Sequence, residues 1–243
     1  MAAYSTDQFE KDLGELGIAL TRQQLDQFIT YYHMLVEWNQ VMNLTAITEY
    51  DDVMKKHFTD SLSLIRAWDV HRSADVIDVG TGAGFPGLPL KIAFPQLRIT
   101  LLDSLNKRVQ FLDAVIGKLS LEGISAVHGR AEDWAKPGKM REQFDLCVSR
   151  AVANLSTLSE YCLPFVKKGG QFISYKSEKL TEELLAAGDA IRTLGGKVKG
   201  QVEFNLPDSD IYRNLFIIEK VKDTPVKYPR KAGLPAKEPL KKS

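Results

Sequence analysis

A short glycine-rich stretch has the residue types and spacing of a ligand-binding turn. An acidic residue, Asp78, is followed by glycines at three alternate positions, Gly80, Gly82 and Gly84. Glycines let the chain turn tightly and let a ligand touch the backbone. A second acid, Asp103, lies 21 residues after Gly82, at the end of the next apolar segment. This spacing predicts a site for a nucleoside-containing ligand, with Asp103 bound to the ribose hydroxyls.

Two kinds of ligand fit this pattern. Gly82, Gly84 and Gly87 match the G-x-G-x-x-G pattern of dinucleotide-binding enzymes. Asp78 favours S-adenosylmethionine instead, because a carboxylate suits the ammonium group of its methionine part and repels a pyrophosphate. We therefore predict a methyltransferase, with a nicotinamide or flavin oxidoreductase as the alternative. Two structural interpretations also stay open, Asp78 as the cap of a loop and Asp103 as the N-cap of the next helix.

Polar residues also follow the third apolar segment. Ala131, Glu132 and Asp133 stand where a side chain or a backbone group can bind the edge of an adenine ring. The start of a short helix is the other interpretation of Glu132.

The fourth apolar segment, Phe144–Ser149, lacks the residues that many methyl transfers require. No [DN]-P-P-[YF] motif follows it, and Cys147 within it is predicted to pack in the core rather than to act as a nucleophile. Guanine N7 carries an in-plane lone pair and no proton, so its methylation needs only proximity and alignment. Arg150, at the mouth of the crevice, is therefore the one candidate for contact with a guanine, a phosphate or the cofactor, with a surface ion pair as the alternative.

The order of apolar and helical segments predicts an α/β fold. From Asp75 onward they alternate, which indicates a mainly parallel, Rossmann-like sheet covered on both faces and ending in an antiparallel hairpin. This layout is that of a class I S-adenosylmethionine methyltransferase. We predict three parts: an N-terminal helical cap over 1–70, with a capping box at Thr21 and Gln24, the methyltransferase domain over 71–221, and a basic extended tail over 222–243. The predicted strands are Asp75–Val79, Arg98–Leu102, Ile124–Val127, Phe144–Ser149, Gly170–Tyr175, Lys197–Glu203 and Ile211–Val221, and the predicted helices of this domain are Pro86–Ala93, Asn106–Leu119, Leu155–Phe165 and Glu178–Thr193.

Composition excludes several classes of protein. The 243 residues contain only two cysteines, Cys147 and Cys162, both among apolar neighbours, which indicates reduced, buried thiols in a cytoplasmic protein. No apolar run is long enough to span a membrane, no signal peptide is visible, and no metal-binding motif stands out. The net charge of +1 hides an uneven distribution. Residues 1–45 hold six acids and two bases, a net charge of −4, whereas residues 222–243 hold seven bases and two acids, a net charge of +5.

Taken together, these motifs resemble the bacterial 16S ribosomal RNA guanine-N7 methyltransferase G family, also called glucose-inhibited division protein B. The resemblance runs from roughly Leu16 to Leu240. Its matching segments are Glu37–Asn39, Asn43–Thr45, His57–Ser61, Asp78–Gly87, Leu102–Arg108, Ser149–Ala151 and Tyr228–Pro235. The resemblance implies a class I fold, S-adenosylmethionine as methyl donor, and methylation of N7 of one guanine in the small-subunit ribosomal RNA.

The resemblance also implies roles for particular residues. It assigns cofactor contacts to Gly80, Phe85, Ala131, Glu132 and Arg150, of which Phe85 would otherwise be interpreted as helix packing. It places a polar rim on the cap near the crevice, formed by Asn43, Thr45, His57 and Asp60. One departure is Ser177, which follows Lys176 where the family pattern has a glycine.

The predicted partner is small-subunit ribosomal RNA or the ribosomal subunit itself, and RNA contacts should be cationic. The candidates are Lys107, Arg108, Arg150, Lys176 and Arg213, the tail residues Lys227, Arg230 and Lys231, and the uncharged Asn43 and His57. The nearly neutral total charge predicts weak binding to naked RNA and dependence on a preformed ribosomal substrate. A methyltransferase acting on a small molecule or a protein, and an RNA-binding module without catalysis, are the remaining alternatives. The oligomeric state stays open.

Overall fold

The computed structural model describes residues 4–150, 153–177 and 181–240. Its seven strands are β1 (Asp75–Val79), β2 (Arg98–Asp103), β3 (Ile124–His128), β4 (Phe144–Ser149), β5 (Val166–Lys176), β6 (Gly196–Asn205) and β7 (Tyr212–Lys220). The described helices are α1 (Asp7–Glu15), α2 (Arg22–Met42), α3 (Tyr50–Val53), α4 (Asp60–Leu62), α5 (Gly87–Ala93), α6 (Asn106–Lys118), α7 (Ala131–Trp134), α8 (Leu155–Cys162), α9 (Thr181–Thr193) and α10 (Leu234–Lys237). Ala151, which ends one of the matching segments, and Glu178, where a helix is predicted to begin, lie outside the described residues.

All seven strands form one sheet in the order β3-β2-β1-β4-β5-β7-β6. Strands β1 to β5 pair in parallel, while β7 lies between β5 and β6 and is antiparallel to both. Parallel neighbours require crossovers, and the helices between the strands supply them. The predicted α/β fold, with a mainly parallel sheet and an antiparallel pair at its end, is confirmed. The ends of β1, β2 and β4 therefore meet at one edge, where Asp78, Asp103 and Ser149 lie.

The longest helix of the cap, α2, begins with the predicted capping box. The Gln24 backbone N–H donates to Thr21 Oγ1 at 3.3 Å, and the Thr21 N–H donates to Gln24 Oε1 at 2.8 Å. The helix ends at Asn43, whose backbone is left-handed with a φ of 49°. Its apolar face is buried, so α2 packs along the domain rather than standing in solvent.

The second stretch of the cap is helical but not uniform. The sequence predicts one helix over Tyr50–Trp68, whereas the structure inserts a π-helical turn, Met54–Thr59, between α3 and α4. A π-turn adds one residue per turn and so redirects side chains, and it is frequent at functional sites. Here the turn carries His57 and Phe58 inward, and both are buried.

An aromatic cluster joins the cap to the sheet domain. Phe58 packs against Phe28 of α2 at 5.0 Å between ring centroids and against Tyr31 at 5.1 Å. Phe85, from the glycine-rich turn, lies 6.0 Å from Phe58. The cluster belongs to the hydrophobic core that covers one face of the sheet, so the cap and that face share one core.

A second core covers the opposite face. It contains both cysteines, Cys147 on β4 and Cys162 on α8, which are fully buried and unbridged. Burial raises the pKa of the Cys147 thiol well above its usual range, so this thiol stays protonated and unreactive at neutral pH. This agrees with the packing role expected from the sequence.

The C-terminal segment differs from the extended tail that its composition suggests. Residues 234–237 form the short helix α10, and Tyr228 and Pro235 are buried. The carbonyl oxygen of Tyr228 accepts a hydrogen bond from Arg141 at 2.8 Å. The described part of the segment therefore packs against the domain, although its boundaries as a separate part stay a prediction. Within the described residues, no helix has the length and apolar character needed to cross a membrane.

We expect Phe58→Ala to lower the free energy of unfolding by about 3–5 kcal/mol, because it opens a cavity where cap and sheet meet. Val41→Ala, at a side chain that is 80% exposed on α2, is the control and should change stability by less than about 0.5 kcal/mol. Urea denaturation followed by circular dichroism measures both. Equal effects of the two substitutions would show that the aromatic cluster does not hold the cap.

Candidate functional site

Asp78, near the end of β1, is hydrogen-bonded to residues of the glycine-rich turn. Its side chain is wholly buried, and Oδ2 accepts hydrogen bonds from the Gly87 N–H at 2.8 Å and from Thr81 Oγ1 at 2.7 Å. The other oxygen, Oδ1, is buried without a hydrogen-bond partner. Burial raises the pKa of the Asp78 carboxyl to about 7. The loop-capping contact therefore exists, but it uses only one of the two carboxylate oxygens.

The glycines of the turn face different surroundings. A Cβ atom on Gly84 would lie 2.8 Å from the hydroxyl oxygen of Tyr31 and would also collide with Leu88. A Cβ atom on Gly82 would meet nothing within 4 Å. Both residues have positive φ angles, 101° at Gly84 and 63° at Gly82. Gly84 is thus required by the packing of the cap, whereas Gly82 borders open space.

Asp103, at the end of β2, is also hydrogen-bonded to the turn. It is 3% exposed. Its Oδ2 accepts the Gly82 N–H at 2.9 Å, and its Oδ1 accepts the Leu105 N–H at 2.9 Å. Arg108 lies 3.5 Å from the same Oδ2. The N-cap of α6 is Leu105, which makes no side-chain cap bond, so Asp103 is not the N-cap.

A cleft of about 600 Å³, counting the part open to solvent, lies beside the turn. Its walls come from the ends of β1 and β2, from the segment after β3, and from α8. The lining residues are Val79, Gly80, Leu102, Ser104, Gly129, Arg130, Ala131, Glu132, Ala153, Leu158 and Tyr161. Three residues expected at the cofactor, Gly80, Ala131 and Glu132, are thus brought together. Glu132 lies in the first turn of α7 and is 3% exposed, and its Oε1 accepts the N–H of Gly233 at 2.8 Å.

Arg150 reaches the cap instead of pointing into open space. Its guanidinium donates to Asp60 Oδ2 at 3.0 Å and to the Lys56 carbonyl oxygen at 3.2 Å. Asp60 is 2% exposed, and its other oxygen accepts from Arg213 Nε at 2.8 Å. The ion pair that was the alternative interpretation of Arg150 is present, but it lies between cap and sheet, with the Arg150 side chain 18% exposed and that of Asp60 3% exposed. Two of the predicted RNA contacts, Arg150 and Arg213, therefore meet at one carboxylate.

His57 is fixed in the same network. Arg150 donates to His57 Nδ1 at 3.0 Å, so the ring proton resides on Nε2, which lies 2.9 Å from Thr45 Oγ1. Burial and the nearby Arg150 charge lower the pKa of His57 to about 3. The ring stacks on Phe85 with centroids 4.4 Å apart, and the Arg150 guanidinium lies 4.9 Å from the centre of the Phe85 ring. His57 is thus a neutral ring with both nitrogens engaged.

The other predicted RNA contacts are more dispersed. Lys107 and the side chain of Asn43 are exposed. Lys176 donates to the Ala153 carbonyl oxygen at 3.2 Å, next to the cleft. Arg230 lies elsewhere, in an ion pair with the buried Glu160 at 2.7 Å. The structure therefore does not bring all of these residues into one patch.

Two tyrosines that the sequence interpretation missed hold the site together. The Tyr31 hydroxyl donates to the Ala83 carbonyl oxygen within the glycine-rich turn, and the Tyr175 hydroxyl donates to the Ser61 carbonyl oxygen at 2.8 Å. Tyr31 follows Phe28 by three residues on the apolar face of α2. A tyrosine on a buried face needs a partner for its hydroxyl, which was the available signal.

No group of three or more metal-ligating side chains occurs among the described residues. The arrangement is an acid-lined glycine turn at the carboxyl edge of a mainly parallel sheet, covered by a helical cap. This fold and site define the class I S-adenosylmethionine methyltransferases. A chain of the complex between the Haloferax volcanii Trm112 methyltransferase activator and a methyltransferase shares the fold, with a TM-score of 0.56 at 16% identity over 77% of this chain and 98% of that one.

The chain belongs to the rRNA small subunit methyltransferase G family, whose model matches residues 24–212. A ribosomal RNA small subunit methyltransferase G of Lachnoclostridium phytofermentans is 56% identical over 96% of both chains. The protein of the same name from Alkaliphilus metalliredigens is 56% identical over 93% of this chain and 95% of its own. The family that the sequence motifs suggest is therefore confirmed.

We expect His57→Gln to weaken the acid sensitivity of the fold. Because the folded pKa of His57 is about 3 and the unfolded value about 6.5, the neutral ring stabilises the fold fully above pH 6.5 and loses this contribution as the pH falls towards 3. Between pH 7 and pH 5 the loss is about 2 kcal/mol, and glutamine, which keeps both hydrogen bonds without titrating, should remove it. Urea denaturation at the two pH values measures the difference, with His71→Gln on an exposed side chain as the control. An unchanged pH dependence in His57→Gln would contradict the buried, neutral ring.

Proposed function

We propose that this chain is an S-adenosylmethionine-dependent enzyme that methylates N7 of a guanine in 16S ribosomal RNA. Family membership supports the ribosomal substrate over a small molecule or a protein, and methyl transfer over dinucleotide oxidoreduction. The observation that carries the cofactor assignment is the side chain of Asp78, at the start of the glycine-rich turn, whose buried Oδ1 has no hydrogen-bond partner. A buried carboxylate oxygen without a partner suits a cationic ligand group and opposes a pyrophosphate.

The residues present fit S-adenosylmethionine. Asp78 would take its ammonium group, and the backbone of Gly80, Gly82 and Gly84 would lie against its methionine part. Asp103 would accept the ribose hydroxyls, since each carboxylate oxygen can accept a further hydrogen bond beyond the backbone N–H it already holds. Ala131 and Glu132 would bound the adenine, and Phe85 and Arg150 would close the methionine end. When bound, this cofactor supplies an electrophilic methyl group on a sulfonium sulfur.

The residues around the crevice would position the substrate and the cofactor and would not exchange protons with them. His57 is neutral and has both ring nitrogens hydrogen-bonded, so it is not free to act as a base. Cys147 does not line the cleft, and burial raises the pKa of its thiol well above the usual range, so it is not a nucleophile. Guanine N7 needs no deprotonation, so a fixed geometry and the exclusion of water are the contributions required of the protein. Arg150, held over Phe85 by Asp60, is the candidate for contact with the guanine or the cofactor.

Cationic and polar residues at the rim of the crevice suit an RNA substrate. Lys107 and Arg108 lie in the first turn of α6, and Lys176 ends β5 next to the cleft; these three residues would bind phosphates. Asn43 and His57 would contribute from the cap, His57 by supporting Arg150. We place the reaction in the cytoplasm, on the small ribosomal subunit rather than on naked RNA.

The direct test is methyl transfer itself. Purified protein should transfer tritiated methyl groups from S-adenosylmethionine to small ribosomal subunits that lack the modification, and digestion of the RNA should yield 7-methylguanosine. Equal transfer to short unstructured RNA would overturn the preference for a preformed subunit. Label recovered in any nucleoside other than 7-methylguanosine would overturn the assignment of N7.

We expect Gly82→Ala and Gly84→Ala to fail in different ways. The Cβ of Gly82→Ala enters the space proposed for the cofactor, so binding of S-adenosylhomocysteine should weaken at least about tenfold while stability falls by only about 1–2 kcal/mol, the cost of a left-handed alanine. Gly84→Ala collides with Leu88 and Tyr31 and should lower the melting temperature much further. Thermal melting with and without the ligand separates the two effects. Unimpaired binding by Gly82→Ala would place the ligand elsewhere.

Cofactor binding near pH 7 should release protons. With a pKa of about 7, about half of the Asp78 carboxyls carry a proton in the free protein, and an ammonium group beside Oδ1 lowers that pKa. Calorimetric titration with S-adenosylhomocysteine in two buffers of different ionisation enthalpy should give about half a proton released per ligand. Asp78→Asn should abolish the release, and Asp113→Asn, on an exposed residue of α6, should retain it. Buffer-independent heats in the wild-type protein would exclude Asp78 as the partner of the ammonium group.

A further inference from the structure

The described part of the C-terminal segment, residues 222–240, is a strap held by buried polar contacts. It begins beside Lys220, whose ammonium group is fully buried and donates to Thr224 Oγ1 at 2.9 Å and to Glu142 Oε1 at 3.1 Å. Arg141 then donates to the carbonyl oxygens of Thr224 and Tyr228. These contacts fix the path of the strap against the domain, so its later residues reach defined positions.

The strap next contacts α8 through an ion pair and a hydrogen bond. Arg230 forms a two-pronged ion pair with Glu160, with Nε to Oε1 at 2.9 Å and a terminal nitrogen to Oε2 at 2.7 Å. Glu160 is 0% exposed and also accepts the Arg230 backbone N–H at 2.8 Å. Farther along, Thr157 of α8 donates to the Pro235 carbonyl oxygen at 3.0 Å. Leu158 and Tyr161 of the same helix line the cleft, so the strap holds a helix that forms one wall of the cleft.

The strap also contacts Glu132, a residue that lines the cleft. The Gly233 N–H donates to Glu132 Oε1 at 2.8 Å, a charge-assisted bond to a side chain that is 3% exposed. Glu132 belongs to α7, which spans only the four residues Ala131–Trp134. A helix of one turn is not stable by itself, so its place depends on contacts from outside. The Gly233 N–H is such a contact, and it acts on the side chain of a residue that lines the cleft.

We infer that residues 222–240 are a positioning strap for the cofactor cleft, in which Gly233 orients Glu132 and Arg230 fixes α8. The inference rests on the proposed function, because it assigns the strap to the nucleoside end of the proposed S-adenosylmethionine site. The strap contacts α7 and α8, which form walls of the cleft, and not the reacting groups. Loosening the strap therefore weakens cofactor binding without changing the methyl transfer of the bound complex.

Two variants test the strap in the full-length protein. Arg230→Met combined with Glu160→Gln removes both charges together and so avoids a lone buried carboxylate. Gly233→Pro removes the donor to Glu132 and, because proline cannot adopt the φ of 83° at this position, also displaces the backbone of the strap there. Lys237→Ala, on an exposed residue of α10, is the matched control. Calorimetry gives the dissociation constant of S-adenosylhomocysteine, steady-state methylation gives KM for S-adenosylmethionine and kcat, and hydrogen exchange reports the release of the strap.

In both variants we expect the dissociation constant and KM to rise at least about tenfold, with kcat at saturating cofactor within about threefold of wild type. Lys237→Ala should match the wild type. The strap inference is overturned if Gly233→Pro binds S-adenosylhomocysteine within twofold of wild type, or if the double variant does so while hydrogen exchange shows the strap released. If the double variant does not fold, Gly233→Pro decides alone. A wild-type protein that fails to bind S-adenosylhomocysteine would instead refute the proposed function.

Discussion

A single buried carboxylate ties the helical cap to two strands of the sheet, and a neighbouring backbone contact adds the strand between them. Asp60 accepts hydrogen bonds from Arg150 at the end of β4 and from Arg213 on β7. Between them, Tyr175 of β5 donates to the backbone of Ser61. A charge removed from water is costly unless several donors satisfy it, and two arginines do so here. The cap therefore has one favourable orientation on the sheet. Through Arg150, that orientation fixes His57 and hence the aromatic wall beside the glycine-rich turn.

Much of the fold follows from local patterns, and the errors have physical causes. β1 and β4 have the predicted bounds, because short β-rich apolar runs flanked by turn residues admit few other interpretations. β5 begins at Val166 rather than at Gly170, since two glycines interrupt its pattern although the backbone stays extended. The C-terminal segment looks extended by composition. Its contacts are with residues about 70 to 100 positions earlier in the chain, which composition does not reveal.

The same difference between local and distant contacts explains which residues of the candidate site could be predicted from the sequence. The glycines of the turn, Asp78 and Asp103 are identifiable because Asp78 and the glycines share one strand end and turn, and Asp103 ends the next parallel strand; their cofactor roles stay predictions. Tyr31 was missed, and Asp60 was expected only on the polar rim of the cap, because the role of each depends on groups more than 50 positions away. Charge alone was also a poor guide, since Arg150, Arg213 and Arg230 all have carboxylate partners. A sequence gives the sign of the charge on a side chain, but it does not show whether another residue already neutralises that charge.

The position of β7 between β5 and β6 has a consequence for biosynthesis. In the sheet, β6 pairs only with β7, which follows it along the chain. While the polypeptide is being made, five parallel strands can assemble first, leaving β5 as a bare edge and β6 without a neighbour. Insertion of one late strand then completes two ladders at once. A nascent chain that has emerged as far as β6 but not β7 would therefore expose the unpaired edge of β5.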